Sequence, residues 1–366
     1  MQFEDKNQDV FLSHYIIDGV QMDATPAEML VEDVPEGDYL DIIDETPEPP
    51  ISSAKYDESA VSLLEGVALK AESSPSAFNL NAPDHFTRSR IAFSLIDMLW
   101  RGGHFRLGDL SASLIWKWDS SPVGNMASFY ASVGSAGAYL YDLGVVIGDY
   151  SCRGSISPAE NFFECHLDLN ESVENWSPYE SRHPFLNGSA ACDNHCQASD
   201  GAWIIYIPFD TCQFRLGDSA LSRSKGDFTT MPPQIQDPDY FIDCYEVVRE
   251  MVEDSVIQAG ITVGEGGLCA AAVRFAQKCG FRMDLSGIMN SYSCQSAVQI
   301  LCSEVPGVLV QISEDNFDYA DSQLLLQDVA YYPLGQVRDV PGVELVQRDN
   351  AGVNVADIVA SLAVKR

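Results

Sequence analysis

Basic side chains are scarce in this chain: 21 Lys and Arg stand against 54 Asp and Glu in 366 residues, a formal net charge of −33. Residues 1–60 alone hold 16 Asp and Glu against two Lys. A surface of that sign repels phosphate backbones and anionic lipid. Direct nucleic-acid binding and membrane association are therefore excluded as functions, and a basic protein partner or a saline cytoplasm suits the chain better. No apolar run reaches the ~18 residues of a membrane span. The start, "MQFEDKNQDVFLSHY", has none of the basic-then-apolar order of a signal peptide. These absences predict a soluble, cytoplasmic protein.

Ten cysteines are present, but without the spacing of a disulfide or zinc framework. Several, such as Cys244, Cys269, Cys279 and Cys302, sit in apolar helical runs, so reduced, buried thiols are expected. One cluster departs from this pattern: "ACDNHCQ" places Cys192, His195 and Cys196 together. Zinc takes about four ligands, and only Cys165 and His166 offer a further pair. A loop with incidental thiols is the plainer reading. The six histidines form no Ser-His-Asp or Cys-His set at an interpretable spacing.

What is present is globular: 46% hydrophobic and 10% aromatic residues, enough for two domains with ordinary cores. The N-terminal third alternates apolar and polar residues in "HYIIDGVQM", "EMLVEDV" and "AVSLLEGVAL", with acidic, Pro-rich joints such as "DETPEPPISS". That reads as strands and loops. Residues 84–103, "DHFTRSRIAFSLIDMLWRGG", predict a helix with a Gly-Gly stop. "SFYASVGSAGAYLYDLG" predicts a second, followed by a buried strand at "VVIG". Residues 151–200 lack periodicity and read as a connector. A second unit opens at "GAWIIYIPFD" and runs through "CQFRLGDSALSRSKG", a helix near 238–258 and the strand "VPGVLVQIS"; the tail carries one short helix. The expected organisation is an N-terminal domain over 1–157, a connector over 158–200, a C-terminal domain over 201–345 and a tail over 346–366.

"AGITVGEGGLCAAAVRFAQKCGF", residues 259–281, looks like a helix aimed at an anion. Gly264, Gly266 and Gly267 let backbone N–H groups approach a phosphate, and a helix N-terminus favours negative charge. Yet Glu265 stands at that positive end, so the chain's own carboxylate could fill the site.

Taken in order, these segments resemble phosphoribosylformylglycinamidine synthase, the ATP-dependent amidating enzyme of purine synthesis, in the superfamily of aminoimidazole ribonucleotide synthetase. "EGVALKAESSPSAFNLNAPDHFTRSRIAFSLIDML" is similar to its strand, Gly-Glu turn and helix. "LSASLIWKW…GNMASFYASVGSAGAYLYDLGVVIGDYS" is similar to its next strand, helix and phosphate loop. "FRLGDSALSRS", the Gly-rich turn at 264–267 and "SEVPGVLVQIS" are similar to its R-L-G-G-S, S-D-G-G-L and E-L-P-G-V-L-V-Q-V segments. The likeness spans residues 12–345, and "YIIDGVQMDATPAEMLVEDV" is compatible with the first strands. It implies an α+β fold, a single aminoimidazole-ribonucleotide-synthetase-like module corresponding to the C-terminal one of the large enzyme. A β-rich, barrel-forming N-terminal half would join an α/β C-terminal half, with no glutaminase in this chain.

The resemblance implies ATP or ADP with Mg²⁺ at a site built from Gly148, Ser151, Arg215, Gly217, Ser219, Glu265, Gly266 and Gly267. The groups that chemistry needs have largely gone. The G-K-D-S lysine is absent from Gly148-Asp149-Tyr150-Ser151, and Lys70 and Arg153 are near it only in sequence. Leu95 and Leu99 stand where a metal-facing Glu and Asn belong, and isobutyl groups do not bind Mg²⁺. Asp97 faces elsewhere on the helical wheel. Ile261, Thr262 and Val263 replace the acids and histidine before the glycines, and Asp218 replaces a glycine. Fold maintenance is the plainer reading of the remaining glycines and of the capping Ser151 and Ser219.

Three functions follow as expectations. The first is a non-catalytic synthase-like binding or structural protein, for which a viral source would fit. The second is a subunit of a split, ATP-dependent synthase, a C–N ligase. The third is a free-standing ATP-dependent enzyme using Asp18 and Asp23. The module is also expected to expose an apolar open sheet formed by "YIIDGV", "AVSLLEGVAL" and "LSASLIWKW". Covering that face calls for a homodimer through residues 12–150 or a heteromer with a second synthase-like chain.

Overall fold

A computed structural model describes residues 9–31, 78–121, 123–157, 160–170, 191–225, 231–294 and 296–345. "DETPEPPISS", "AVSLLEGVAL" and the tail helix lie outside the described residues. Two compact units divide the chain: described residues 9–31, 78–95 and 106–170 belong to the first, and 96–105 and 191–345 to the second.

The first unit opens with α1 (Asp9–Leu12) and a minimal hairpin, β1 (Ile16–Ile17) and β2 (Val20–Gln21). Its turn residues, Asp18 and Gly19, take φ of 51° and 82°, the left-handed pair a two-residue hairpin demands. "EMLVEDV" does not start as a strand: Pro26–Val31 is helix α2. The reason is local. Glu28 accepts the Thr25 N–H at 2.7 Å, and Thr25 Oγ1 accepts the Glu28 N–H at 3.3 Å. This reciprocal box, with Pro26 in the first turn, starts a helix whatever the alternation suggests.

Helix α3 (Pro83–Met98) follows, then β3 (Leu110–Trp118), α4 (Val123–Asp142), β4 (Val146–Gly154) and β5 (Phe162–Leu169). The strands form one sheet in the order β4-β3-β5, with β3 parallel to β4 and antiparallel to β5. No closed barrel is formed among the described residues. Strand β3 alternates strictly. Leu110, Ala112, Leu114, Trp116 and Trp118 are buried, while Ser111, Ser113, Ile115 and Lys117 are half-buried. Trp116 packs on Phe11, Phe129 and Phe163 at ring separations of 5.9, 6.0 and 5.0 Å. An indole buried this fully contributes roughly 4–6 kcal/mol as an upper bound.

The expectation of an apolar open face at "LSASLIWKW" is therefore corrected: its Leu and Trp side chains all face the core. "VVIG" is likewise not a buried strand. Val145 is buried, but Val146 is 46% exposed, because β4 is an outer strand of the sheet.

The second unit takes the last turn of α3 and continues through β6 (Trp203–Pro208), α5 (Ala220–Lys225), α6 (Pro238–Glu253), β7 (Ile257–Val263), α7 (Gly267–Phe275), β8 (Gly280–Met283), α8 (Ser286–Ser291), α9 (Ala297–Cys302), β9 (Gly307–Ile312), α10 (Glu314–Leu326), β10 (Tyr332–Arg338) and β11 (Gly342–Leu345). The six strands order as β11-β8-β10-β6-β9-β7, antiparallel except for the β11–β8 pair. All six residues of β9 are buried. It lies between β6 and β7, which accounts for its apolar run from Gly307 to Val310. The one polar side chain there, Gln311, is fully bonded: it accepts the Gln197 N–H at 2.7 Å and donates to Gln197 O and Gln258 Oε1 at 3.0 Å. Side-chain caps start the helices: Asp237 accepts Tyr240 N–H ahead of α6, Ser296 caps α9, and Ser313 caps α10.

Candidate functional site

In the second unit the turn between β7 and α7 folds as the glycines require. Gly266 and Gly267 have φ of 80° and 65°, and the Gly267 N–H donates to Gly264 O at 2.8 Å. A Cβ on Gly267 would lie 2.5 Å from Ser303 O and 2.7 Å from Leu301 O. The glycine is thus required by backbone packed against it.

The anion question has a specific answer. The Gly266 N–H donates at 2.9 Å to Oε1 of Glu304, and the same oxygen accepts the Ala220 N–H at 2.7 Å. Glu304 is 6% exposed and comes from the "SEVPG" approach to β9. Arg223, on α5, completes the set. Its guanidinium lies 3.8 Å from Glu304, 3.7 Å from Glu265 and 3.4 Å from Asp218. Burial alone would lower the Arg223 pKa, but Glu304, Asp218 and Glu265 outweigh it and hold the pKa above the ordinary value. Glu265 is therefore an outer carboxylate on Arg223, and Glu304 takes the backbone donors.

The "RLGDSALS" residues assemble around the same place. Gly217 N–H donates to Met231 O at 2.9 Å. Ser219 Oγ donates to Leu216 O at 2.7 Å and accepts the Ser222 N–H at 3.2 Å, which is a helix-start bond. Asp218 adopts φ of 58°, the conformation that a glycine would occupy without strain, and its backbone carbonyl and carboxylate both accept from Arg223. Arg215 is 3% exposed. Of the expected site residues, the fold thus brings Glu265 and Gly266 onto one carboxylate–arginine cluster, which Asp218, standing in place of a glycine, also joins. The two residues that organise it, Arg223 and Glu304, were not singled out from the sequence.

Gly148 and Ser151 belong to the first unit, and "GDYS" is not a loop there. It lies within β4: Asp149, Tyr150 and Ser151 pair with Ser113, Leu114 and Ile115, with a register shift at Gly148. Tyr150, where the resemblance asks for an acid, packs edge-on against Phe11 at 4.9 Å. Leu95 and Leu99 are 0% and 3% exposed and belong to the core. Thr262 Oγ1 donates to the Asp97 carboxylate and accepts from Trp100 Nε1 at 2.9 Å. Surrounding protein raises the Asp97 pKa, against the opposing influence of Thr262, Arg101 and Arg274.

Among the described residues no group of three or more His, Cys, Asp or Glu could hold a metal ion. Asp18 and Asp23 are exposed. Cys196 Sγ donates to Cys279 O at 2.8 Å, and the His195 ring lies 3.2 Å from Gln277 and 3.4 Å from Asp193. Cys165 and His166 are successive strand residues, one buried and one exposed, on opposite faces of β5. The described residues at those positions do not fit the Mg²⁺ that the resemblance implies. No described helix is long and apolar enough to cross a membrane.

No family profile matches the chain. The probable chloroplastic/mitochondrial phosphoribosylformylglycinamidine synthase of Arabidopsis thaliana is 24% identical over 268 residues, covering 72% of this chain and 18% of the relative. The Homo sapiens phosphoribosylformylglycinamidine synthase is 24% identical over 113 residues, 30% of this chain and 8% of the relative. Probable membrane antigen 75 of Saimiriine herpesvirus 2 is 23% identical over 133 residues, 36% of this chain and 10% of the relative. The chain spans less than a fifth of the length of each. Among solved structures, T. maritima PurL complexed with FGAR superposes with a TM-score of 0.54 at 17% identity, over 75% of this chain and 42% of that one. The same PurL complexed with ATP gives 0.50 at 14%, over 74% and 40%. The chain is similar to phosphoribosylformylglycinamidine synthase, and its α+β fold is that of a PurL-type module.

Proposed function

We propose that this chain is a non-catalytic module of the phosphoribosylformylglycinamidine synthase type, kept as a binding or structural protein. The observation that carries the reading is the fate of the metal-facing positions: Leu95 and Leu99 are core residues, and the nearby Asp97 is bonded to Thr262. Phosphoryl transfer needs cations and metal-bridging carboxylates around the developing charge, and here apolar packing stands in their place. The herpesvirus antigen among the relatives supports a viral setting for such a protein. Any nucleotide, ATP or ADP, would be a retained structural ligand and not one that is turned over.

The partner is a second copy or another synthase-like chain. Among the described residues β4 and β5 are the outer strands of the sheet and would offer their edges to it, and the half-buried face of β3 carries Ser111, Ser113, Ile115 and Lys117. Such an interface is more polar than a sealed apolar barrel and depends on pairing and charge. The basic-partner reading draws on the net charge of −33.

A second reading, a subunit of a split ATP-dependent synthase, draws on the 24% identity to the plant phosphoribosylformylglycinamidine synthase. A catalytic module and a glutaminase would then be separate chains. Calorimetric titration with Mg²⁺-ATP separates the two readings. Affinity weaker than about 100 µM, near −5.5 kcal/mol, supports the first. Tighter, Mg²⁺-dependent binding together with co-purification of a synthase-like chain supports the second.

A further inference from the structure

We propose that Glu304 is the built-in occupant of the anion-binding turn, a carboxylate latch that closes the turn to phosphate in the folded chain. The inference deepens the non-catalytic reading above and rests on it. Three groups that would hold an external oxyanion converge on this side chain: the Gly266 N–H at 2.9 Å, the Ala220 N–H at 2.7 Å and the Arg223 guanidinium at 3.8 Å. Both backbone donors go to the same oxygen, and the carboxylate is buried. A buried carboxylate persists only when its charge is compensated and hydrogen-bonded, and this cluster supplies both.

The latch ties three separate segments together. Asp218 to Arg223 form the first, the glycine turn the second, and the approach to β9 the third. Gly267 is pressed against the backbone of Leu301 and Ser303, so the turn and the residues leading to Glu304 are held in register. A phosphate could reach the Gly266 N–H only by displacing Glu304. It would also meet Glu265 and Asp218, which share the same arginine. The turn keeps the backbone geometry of an anion site, and the chain supplies the anion.

The experiment is chemical rescue of the full-length chain. Thermal midpoints of wild type and Glu304→Ala are measured in rising sodium acetate or sodium phosphate, against sodium chloride at equal ionic strength. Wild type is expected to show no saturable response to any of the three salts, beyond the non-saturable stabilisation that phosphate gives folded chains in general. Glu304→Ala is expected to melt about 5 °C or more below wild type and to recover saturably in acetate but not in chloride. Adding Arg223→Met to that variant is expected to remove the recovery. If Glu304→Ala does not fold, Glu304→Gln serves instead, and faster amide exchange at Gly266 and Ala220 is the expected readout.

Saturable stabilisation of wild type by phosphate would overturn the latch, as would a truncated variant indifferent to acetate or unchanged exchange in Glu304→Gln. Turnover is assayed separately. A phosphate-responsive but inactive wild type would sink the latch alone, whereas an active chain with a confirmed latch would sink the non-catalytic reading alone.

Discussion

Replacing Gly267 with alanine should separate the two reasons a glycine stands at the start of α7. At φ of 65° an L-residue is left-handed, which costs about 1–2 kcal/mol. The added Cβ would also sit 2.5 and 2.7 Å from the carbonyl oxygens of Ser303 and Leu301. Those oxygens are backbone and cannot swing aside, so a further 1–3 kcal/mol or so of overpacking is expected. The total is about 2–5 kcal/mol, a large share of a domain's net stability. Gly201→Ala is the control. Its φ is 70°, but its new Cβ meets first the mobile carboxylate of Glu314, so only the conformational cost applies. Urea unfolding followed by tryptophan fluorescence, fitted for the second unit, compares the two. Equal losses would refute the claim that Gly267 is fixed by the Leu301–Ser303 backbone.

Other outcomes follow from the same reasoning. Burial pushes the Cys165, Cys196 and Cys269 thiols up to about 12. In the unfolded chain these thiols ionise near their ordinary value of about 8.5, while the folded chain still holds the protons. Their contribution is therefore complete below that pH and lost as pH rises toward 12, at about 1.4 kcal/mol per thiol per unit; urea midpoints between pH 8 and 11 would show it. Leu114→Glu should unfold the first unit by placing a charge in its core, whereas Ile115→Glu, on the alternate face of β3, should leave circular dichroism intact and shift light scattering toward monomer. Gly137→Ala should destabilise the first unit by roughly 1–3 kcal/mol, because its Cβ would fall 2.0 Å from Met29 O; retention of the wild-type urea midpoint would contradict that contact.

Much of the fold was legible because local signals and tertiary context agree. The Gly-Gly stop after "LIDMLWR", the Gly144 stop after "YLYD" and the apolar run of "GVLVQI" all mark elements that the fold contains. Where they disagree, the reading failed for identifiable reasons. "EMLVEDV" alternates enough to pass for a strand, yet the Thr25–Glu28 box decides for a helix through Val31. "LSASLIWKW" looked like an exposed apolar face because its composition was read without its period. Every apolar residue there except Ile115 is an inward one. The anion turn was visible from its glycines, but its occupant was not. Glu304 and Arg223 stand in the matched segments "SEVPGVLVQIS" and "FRLGDSALSRS", but they meet the turn only through tertiary contact, which neither segment reveals. The available clue was an acid directly before the proline-containing entry to a fully buried strand, a position where an unpaired charge would be costly.

The central claim is that this PurL-type fold no longer performs phosphoryl chemistry. Steady-state release of inorganic phosphate from Mg²⁺-ATP tests it most directly, with FGAR as acceptor and an ammonium salt replacing the glutaminase. Enzymes of ordinary efficiency turn over at about 1 s⁻¹ or faster. The account predicts release indistinguishable from the protein-free blank, for wild type and Glu265→Ala alike. ATP-dependent turnover by the wild type that Glu265→Ala abolishes would contradict it.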